Sequence, residues 1–227
     1  MLDVREASGN MAIMRSEHPN PASTWPPEMR FSVDDRPHEL LELLWLREAY
    51  NLEISGDVPP ALTDTPASAT RPLGAAERTQ WERAWPRLWR AAIEHAGRPD
   101  DHELFAQLME TDDGSPERED LLRRLAGPSW RDVIGDAAFD DPSLLAWDRR
   151  GFDAHVVSRP RMLANSPERR DLGSLVPAWR KGLTKVVTIP CRGVFTRCLS
   201  STALLVTDQT RADSNAYRAA LDEFTAD

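Results

Sequence analysis

The sequence predicts an α+β fold that is predominantly helical, with a small C-terminal three-stranded antiparallel sheet and a terminal helix packed on it. Three runs with strand character follow one another within residues 183–227. Helical patterns fill most of the preceding chain. The connections between the three runs are short, whereas parallel neighbours need a crossover of a dozen or more residues. We therefore expect an antiparallel meander.

Each of the three runs carries its own strand signal. Residues 184–190 are rich in β-branched side chains and end at a proline, which has no amide hydrogen to give to a sheet. Residues 194–199 alternate between two sets of side chains, and residues 203–207 form a short apolar run. We expect one strand at each position.

The terminal helix is predicted over residues 214–224. Asp213 stands where an N-cap belongs and can accept hydrogen bonds from amides of the first turn. Apolar side chains recur at helical spacing, namely Tyr217, Ala220, Leu221 and Phe224. This stripe should cover one face of the sheet, and the upstream helices should cover the other.

Residues 31–182 form the predicted helical part, interrupted by a proline-rich loop at residues 55–72. The run 37–51 is leucine-rich on almost all sides, which is typical of a central, buried helix. Residues 75–96 carry tryptophans at helical spacing, with Pro86 among them. Because proline removes one helical hydrogen bond and clashes with the preceding turn, we expect a kink or a break there. Further helices are predicted at residues 100–110, 116–126 and 142–158.

The predicted domain organisation is simple. Residues 1–30 show no helical or strand period and contain a cluster of prolines, so we expect a disordered or extended N-terminal tail. Residues 31–227 should form a single α+β domain, with residues 183–227 as its sheet-plus-helix part. The composition, 41% hydrophobic and 29% charged, is that of a globular protein long enough to bury a sizeable core.

Composition also suggests a compartment. No apolar run approaches the length of about 18 residues that a membrane helix needs, and the N-terminus lacks the order of a signal peptide. Cys191 and Cys198 are too few for a secreted disulfide framework, so reduced thiols are expected. We therefore predict a cytoplasmic protein that does not contact a membrane. Its many arginines and two lysines suggest a GC-rich bacterial genome.

Charge is unevenly distributed along the chain. Residues 1–150 carry 17 basic and 29 acidic side chains, a net charge of −12, and residues 151–227 carry 11 and 8, a net charge of +3; together these give −9. The candidate ligand-binding cations of the predicted sheet region are Lys185, Arg192, Arg197 and Arg211. They could bind an anion, or they could face the acidic first half of the same molecule.

No motif identifies a cofactor. The phosphate-binding patterns Gly-x-x-x-x-Gly-Lys-Ser/Thr and Gly-x-Gly-x-x-Gly are absent, as is the hydrolase pattern Gly-x-Ser-x-Gly. His95 and His102 lie near Asp100, Asp101 and Glu103, which are potential metal ligands, but aspartates before a helix are also ordinary N-caps. We expect neither a cofactor nor a metal.

Two histidines are candidate acid/base groups. His155 follows Arg150 by five residues, and His95 follows Arg90 by the same interval. An arginine that stabilises phosphate charge and a histidine that transfers a proton can act together. Such pairs also arise by chance in an arginine-rich chain. His155 and His95 therefore enter as candidates only.

The leading hypothesis is a non-enzymatic binding or protein-interaction domain, with a protein partner or a second copy bound through the Leu/Trp-rich helices. The alternative is an enzyme or binder that acts on an anionic ligand, phosphate-bearing or nucleic acid, at the basic C-terminal sheet. A pI near 5.1 disfavours nucleic acid, because an acidic protein repels a polyanion. The sequence leaves open whether the protein is an enzyme and favours the first hypothesis.

Overall fold

The computed structural model describes residues 11–14, 25–99, 102–127, 130–164 and 166–226 of the 227-residue chain. These residues form one sheet and a set of helices. The strands are β1 Met11–Met14, β2 Phe31–Asp34, β3 Lys185–Ile189, β4 Thr196–Ser200 and β5 Ala203–Thr207. The helices are α1 His38–Ala49, α2 Ala75–Ala96, α3 His102–Glu110, α4 Pro116–Ala126, α5 Arg131–Ile134, α6 Pro142–Ala164, α7 Pro167–Arg170, α8 Leu172–Arg180, α9 Asp208–Ala212 and α10 Ser214–Asp222.

The predicted fold class is confirmed. The described chain is mostly helical, and its C-terminal strands carry a terminal helix packed against them. Asp213 caps α10 as expected, because its carboxylate accepts hydrogen bonds from the amides of Asn215 and Ala216 at 2.9 Å. Helix α2 continues through Pro86 without a break, since the tryptophans on its buried side hold both halves against the same core.

The sheet is mixed, and the predicted antiparallel meander was wrong in this detail. Its order is β1-β2-β3-β5-β4. Strands β2, β3 and β5 run parallel, and β1 and β4 pair antiparallel at the two edges. Residues 190–202, which include β4, act as the crossover between β3 and β5. The crossover is thus long enough once the outer strand is counted as part of it.

Burial explains why β4 lies at the edge. Strands β3 and β5 are buried along their whole length, as expected for parallel strands covered on both faces. Strand β4 is only partly buried and carries Arg197 and Cys198. An edge position leaves such polar side chains near solvent, whereas a central position would bury them.

Two hydrophobic cores cover the two faces of the sheet. The first core lies beneath α1 and α2 and includes Leu43, Trp45, Trp81, Trp85, Trp89, Val187, Ile189 and Leu205. The second core lies beneath α8 and α10 and includes Phe31, Val33, Leu175, Val186, Leu204, Val206, Tyr217, Leu221 and Phe224. Alternate residues of β3 and β5 enter opposite cores, because successive strand side chains point to opposite faces.

The Leu/Trp-rich helices α1 and α2 are interior. The Trp85 indole donates a hydrogen bond of 2.9 Å to the Leu43 carbonyl, and the rings of Trp85 and Trp89 stack with centroids 5.3 Å apart. Trp45 is fully buried. These apolar side chains therefore form part of the first core, as expected for a central helix, and binding of a partner or a second copy through α1 and α2 stays a prediction.

The proline-rich segment 55–72 is an ordered strap across the first core. Arg47 donates hydrogen bonds to the carbonyls of Pro59 and Pro60 at 2.7 and 2.8 Å. Leu62 forms an isolated antiparallel bridge with Cys191, just beyond β3. The strap therefore joins the end of α1 to the end of a central strand.

Part of the predicted N-terminal tail belongs to the sheet. Residues 1–10 and 15–24 lie outside the described residues, whereas 11–14 form β1 and pair with β2. Trp25 and Met29 are buried in the second core, and the Trp25 indole donates a hydrogen bond of 3.2 Å to the Met29 carbonyl. The predicted domain boundary at residue 30 stays a prediction.

A buried ion pair ties α7 to α9 and α10. Glu168 is fully buried and accepts hydrogen bonds of 2.7 and 2.9 Å from the Arg211 guanidinium. The Tyr217 hydroxyl donates a third, of 3.1 Å. Burial, followed by the neighbouring Glu168 charge, raises the pKa of Tyr217 well above its usual value. The phenol therefore stays neutral and acts as a donor.

Replacing the buried acid tests this ion pair. Glu168→Gln should lower the free energy of unfolding by about 3 kcal/mol, because it leaves the Arg211 charge buried without its counter-charge. Urea denaturation followed by tryptophan fluorescence measures the change. The control, Glu223→Gln at an exposed position, should change stability by less than about 0.5 kcal/mol. Equal stabilities for the two variants would contradict the assigned role.

Two glycines form a matched pair for packing. A Cβ at Gly97, at the end of α2, would lie 2.8 Å from the Leu199 Cβ, whereas a Cβ at Gly173 in α8 would meet nothing within 4 Å. Gly97→Ala should cost about 1 to 3 kcal/mol through overpacking. Gly173→Ala should gain up to about 1 kcal/mol of helix propensity. Thermal unfolding of both variants checks the opposite signs, and a neutral Gly97→Ala would mean that α2 and β4 are less closely packed.

Candidate functional site

Polar side chains collect where the parallel strands end. Asp35 follows β2, Thr188 lies next to the end of β3, and Asp208 follows β5. Because β2, β3 and β5 are parallel, their carboxyl ends share one edge of the sheet. His155 of α6 joins them, since its imidazole contacts Asp35. We call these four residues the carboxyl-edge cluster.

The chain leaves this edge in two directions. Helix α1 follows β2 and enters the first core, and α10 comes after β5 and α9 and enters the second core. Strand β3 lies between β2 and β5, so these two connections leave from either side of its carboxyl end, and ligands of open α/β sheets bind outside the carboxyl ends of the strands. The carboxyl-edge cluster lies at this point of divergence.

His155 and Asp35 form a partly buried pair. The distance from His155 Nδ1 to Asp35 Oδ2 is 3.7 Å, and the two side chains are 10% and 15% exposed. This separation is longer than a hydrogen bond but short enough for an ion pair when the imidazole is protonated. The pair therefore places an imidazole beside a carboxylate at a site with limited access to water.

Helix α6 is held against the edge by the residue next to Asp35. The Arg36 guanidinium makes an ion pair with Asp148 of α6. A Cβ on Gly151, one turn further along α6, would lie 3.1 Å from Arg36 Nη1. Glycine at that position therefore gives the guanidinium room and lets the helix lie close to the end of β2.

Asp208 has many protein atoms around its carboxylate, and part of its side chain is still exposed to solvent. The surrounding protein raises the pKa of Asp208, while Thr188, Arg211 and His155 lower it and Asp35 raises it further. Its solvent exposure moderates the effect of burial. The Thr188 hydroxyl faces the Asp208 carboxylate and lowers its pKa, although their geometry falls short of a regular hydrogen bond.

A second acid lies on the other face of the same strand end. Burial raises the pKa of Asp34 to about 6, against the opposing effects of Lys185 and of the Arg36 amide. That amide donates a hydrogen bond of 3.3 Å to Asp34 Oδ1. Asp34 is thus a perturbed carboxyl group at the end of β2, and such groups are concentrated at functional sites.

The strap 55–72 borders the edge on the side of the first core. The Glu48 carboxylate accepts a hydrogen bond from the Leu62 amide. The Trp147 indole of α6 donates a hydrogen bond of 2.8 Å to the Asp64 carbonyl. The Arg150 guanidinium forms an ion pair of 3.0 Å with the Asp64 carboxylate. The strap and α6 therefore brace each other beside the cluster, and Arg150 is engaged there rather than with His155.

The four cations predicted to bind a ligand do not share one surface. Arg192 donates a hydrogen bond of 2.9 Å to the Leu62 carbonyl, and Arg197 forms an ion pair of 2.6 Å with Asp57. Both arginines therefore contact the strap. The other two lie elsewhere. Lys185 donates a hydrogen bond of 3.5 Å to the carbonyl of Arg98, between α2 and α3. Arg211 forms an ion pair with the buried Glu168.

The second candidate histidine lies apart from the cluster. His95 Nε2 donates a hydrogen bond of 2.9 Å to the Leu125 carbonyl, which links α2 to the end of α4. Asp100 and Asp101 of the considered metal group lie outside the described residues, and the His102 side chain is not described either. Among the side chains that are described, no group of three or more His, Cys, Asp or Glu residues is arranged to hold a metal.

Sequence reasoning missed Asp35, Thr188 and Asp208. The signal for β2 was present, because Phe31 and Val33 alternate with polar residues directly before an Asp-Asp pair. Asp208 likewise follows the apolar run of β5. The predicted meander contained no β2 and placed β4 between β3 and β5, whereas in the structure β3 pairs directly with both β2 and β5. It therefore brought neither Asp35 nor the end of β5 beside Thr188.

Comparison with known proteins finds no matching family model, no similar curated protein and no similar solved structure. Within the part of the chain that the structure describes, no helix combines the length and the apolar character that crossing a membrane requires. Function must therefore be inferred from the residues themselves.

One further acid near α6 is strongly perturbed. Glu42 of α1 is buried, and this burial raises its pKa to about 8 despite the opposing charge of Arg131. The Arg131 guanidinium lies 3.7 Å from Glu42 Oε1, and His38 Nε2 lies 3.5 Å from the same oxygen. The folded protein therefore holds a proton on Glu42 that the unfolded chain releases near pH 4.5.

This difference predicts a pH dependence of stability. Between pH 4.5 and 8 the folded state binds more protons than the unfolded state, so Glu42 should lower stability as the pH rises, by up to about 1.4 kcal/mol per unit. Glu42→Gln should remove this slope and be more stable than wild type at pH 8. Urea midpoints from pH 5 to 8 test it, with exposed Glu94→Gln as control. An unchanged slope would exclude Glu42 as its source.

Proposed function

We propose that this protein binds a small polar ligand at the carboxyl-edge cluster of Asp35, His155, Thr188 and Asp208. This reading retains the binding-domain hypothesis and moves the site from the basic sheet to the strand ends. It leaves catalysis open, since His155 beside Asp35 could exchange a proton with a bound ligand.

One observation carries the proposal, namely the convergence of these polar side chains where the chain diverges to the two faces of a parallel sheet. Asp35 and Asp208 come from two different strand ends, and His155 comes from a helix remote in sequence. A purely structural role would favour pairing each carboxylate with a full hydrogen-bond set in the interior. Here Asp208 stays exposed, which supports access by a ligand.

The alternative of an anionic ligand at the basic sheet has less support. Arg192 and Arg197 hold the strap, and Arg211 is committed to Glu168. Binding an anion there would have to break these contacts. Of the two histidines named in that alternative, His155 is the one that lies among other ionisable side chains at a strand edge.

A second candidate function is docking of a protein partner on α6. Leu145, Phe152 and Val156 are exposed and lie on one side of this helix, seven and eleven residues apart from the first. Exposed apolar stripes of this kind are used as interaction surfaces. This observation supports the interaction hypothesis independently of the carboxyl edge.

Native mass spectrometry distinguishes the two functions. A small bound mass that is released on denaturation, and is lost in Asp208→Asn and His155→Gln, is the outcome expected for the carboxyl edge. The matched control is Asp113→Asn, an exposed acid beside Arg118 at the α3–α4 hairpin, and it should retain the mass. Circular dichroism verifies that each variant is folded.

Two other outcomes would count against the proposal. A bound mass that persists in both edge variants would place the ligand elsewhere. A bare polypeptide at an integer multiple of the chain mass, converted to monomer by Phe152→Lys, would favour the docking function of α6 instead.

A further inference from the structure

We infer that the ligand of the carboxyl edge is an organic cation, an ammonium or guanidinium group, bound between Asp35 and Asp208. This inference rests on the proposed function and specifies its chemistry. It depends on the balance of charge at the edge and on buried polar atoms that lack hydrogen bonds.

Among the side chains that the structure describes, the carboxyl edge carries two acids, Asp35 and Asp208. Burial is the largest cause of the raised pKa of Asp208, and the Asp35 charge raises it further. Two described guanidinium groups near the edge have other partners, because Arg211 makes two hydrogen bonds to Glu168 and Arg36 pairs with Asp148. His155 Nδ1 lies 3.7 Å from Asp35 Oδ2 and can supply at most one positive charge.

Buried polar atoms point into the same place. Thr188 is 1% exposed, and its hydroxyl, which faces Asp208, makes no regular hydrogen bond to any described residue. Asp35 Oδ1 is also buried without a hydrogen bond in the described chain. Buried polar groups are normally hydrogen-bonded. Asp35 Oδ1 therefore calls for a donor, and the Thr188 hydroxyl can accept a hydrogen bond as well as donate one to Asp208. A ligand with several N–H groups supplies donors for both oxygens.

Organic cations match this set of acceptors better than a metal ion does. An ammonium group offers three N–H donors and a guanidinium offers five, and hydrogen bonds from charged donors to carboxylates are about twice as strong as neutral ones. A divalent metal instead needs several ligands converging on one point. No such group of His, Cys, Asp or Glu exists among the side chains that the structure describes.

Isothermal titration calorimetry with four probes tests the inference. Agmatine and putrescine present a guanidinium and ammonium groups without a carboxylate, succinate is a matched anion, and inositol is a neutral polyol. We expect saturable binding of agmatine or putrescine alone. Asp208→Asn should weaken it at least tenfold, since an exposed acid can be neutralised without unfolding the chain, and Thr188→Val should weaken it several-fold. Asp113→Asn should leave the affinity unchanged.

Other outcomes separate the chemistry of the ligand from the location of the site. Binding of succinate or inositol that is lost in Asp208→Asn would overturn the cation and leave the carboxyl edge as the site. A separate titration with MgCl₂ that shows Asp208-dependent binding, without binding of the amines, would replace the organic cation by a metal ion. Binding by none of these probes, in a wild-type protein that is folded, would overturn the inference, whereas the proposed function is decided separately by the bound mass in the native mass spectrum.

Discussion

The burial of β3 between β2 and β5 is the constraint on which the rest of the structure depends. A strand covered on both faces needs two apolar surfaces, and alternate residues of β3 supply them: Val187 and Ile189 enter the first core, and Val186 enters the second. Helices must then cover both faces, which places α1 and α2 on one side and α8 and α10 on the other. Because the two central neighbours of β3 run parallel to it, three strand ends meet at one edge. The carboxyl-edge cluster is a result of this packing.

Local patterns predicted the elements well, whereas the relation between distant elements escaped them. The N-cap Asp213, the strand signals in residues 183–207 and the buried tryptophans of α2 could all be read from neighbouring residues, since capping and periodicity act within a few positions. The pairing of β2 with β3 joins Ser32 to Lys185, and nothing local encodes it. The candidate site shares this origin. His155 could be named for its chemistry alone, but its neighbours Asp35 and Asp208 are brought together only by the parallel sheet.

The arginines show how a basic segment can be used inside a molecule. Arg192 and Arg197 hold the strap, Arg170 pairs with Asp171, and Arg211 lies against Glu168 in the second core. Guanidinium groups suit this work because they remain charged when buried and bind carboxylates and carbonyls with several donors at once. At the carboxyl edge, by contrast, Asp35 lies beside an imidazole, that of His155. The basic residues named here are therefore used for contacts within the molecule.

The strap also has a consequence for the order in which the chain becomes structured. Leu62 forms a β-bridge with Cys191. The first core also includes Val187, Ile189 and Leu205, which belong to strands that are synthesised late. The helices α1 and α2 are made long before these strands, so their leucines and tryptophans lack a complete partner surface until the last third of the chain leaves the ribosome. Long-range contacts of this kind slow folding and prolong the exposure of apolar surface. The nascent helical part is accordingly a segment on which a chaperone would act during translation.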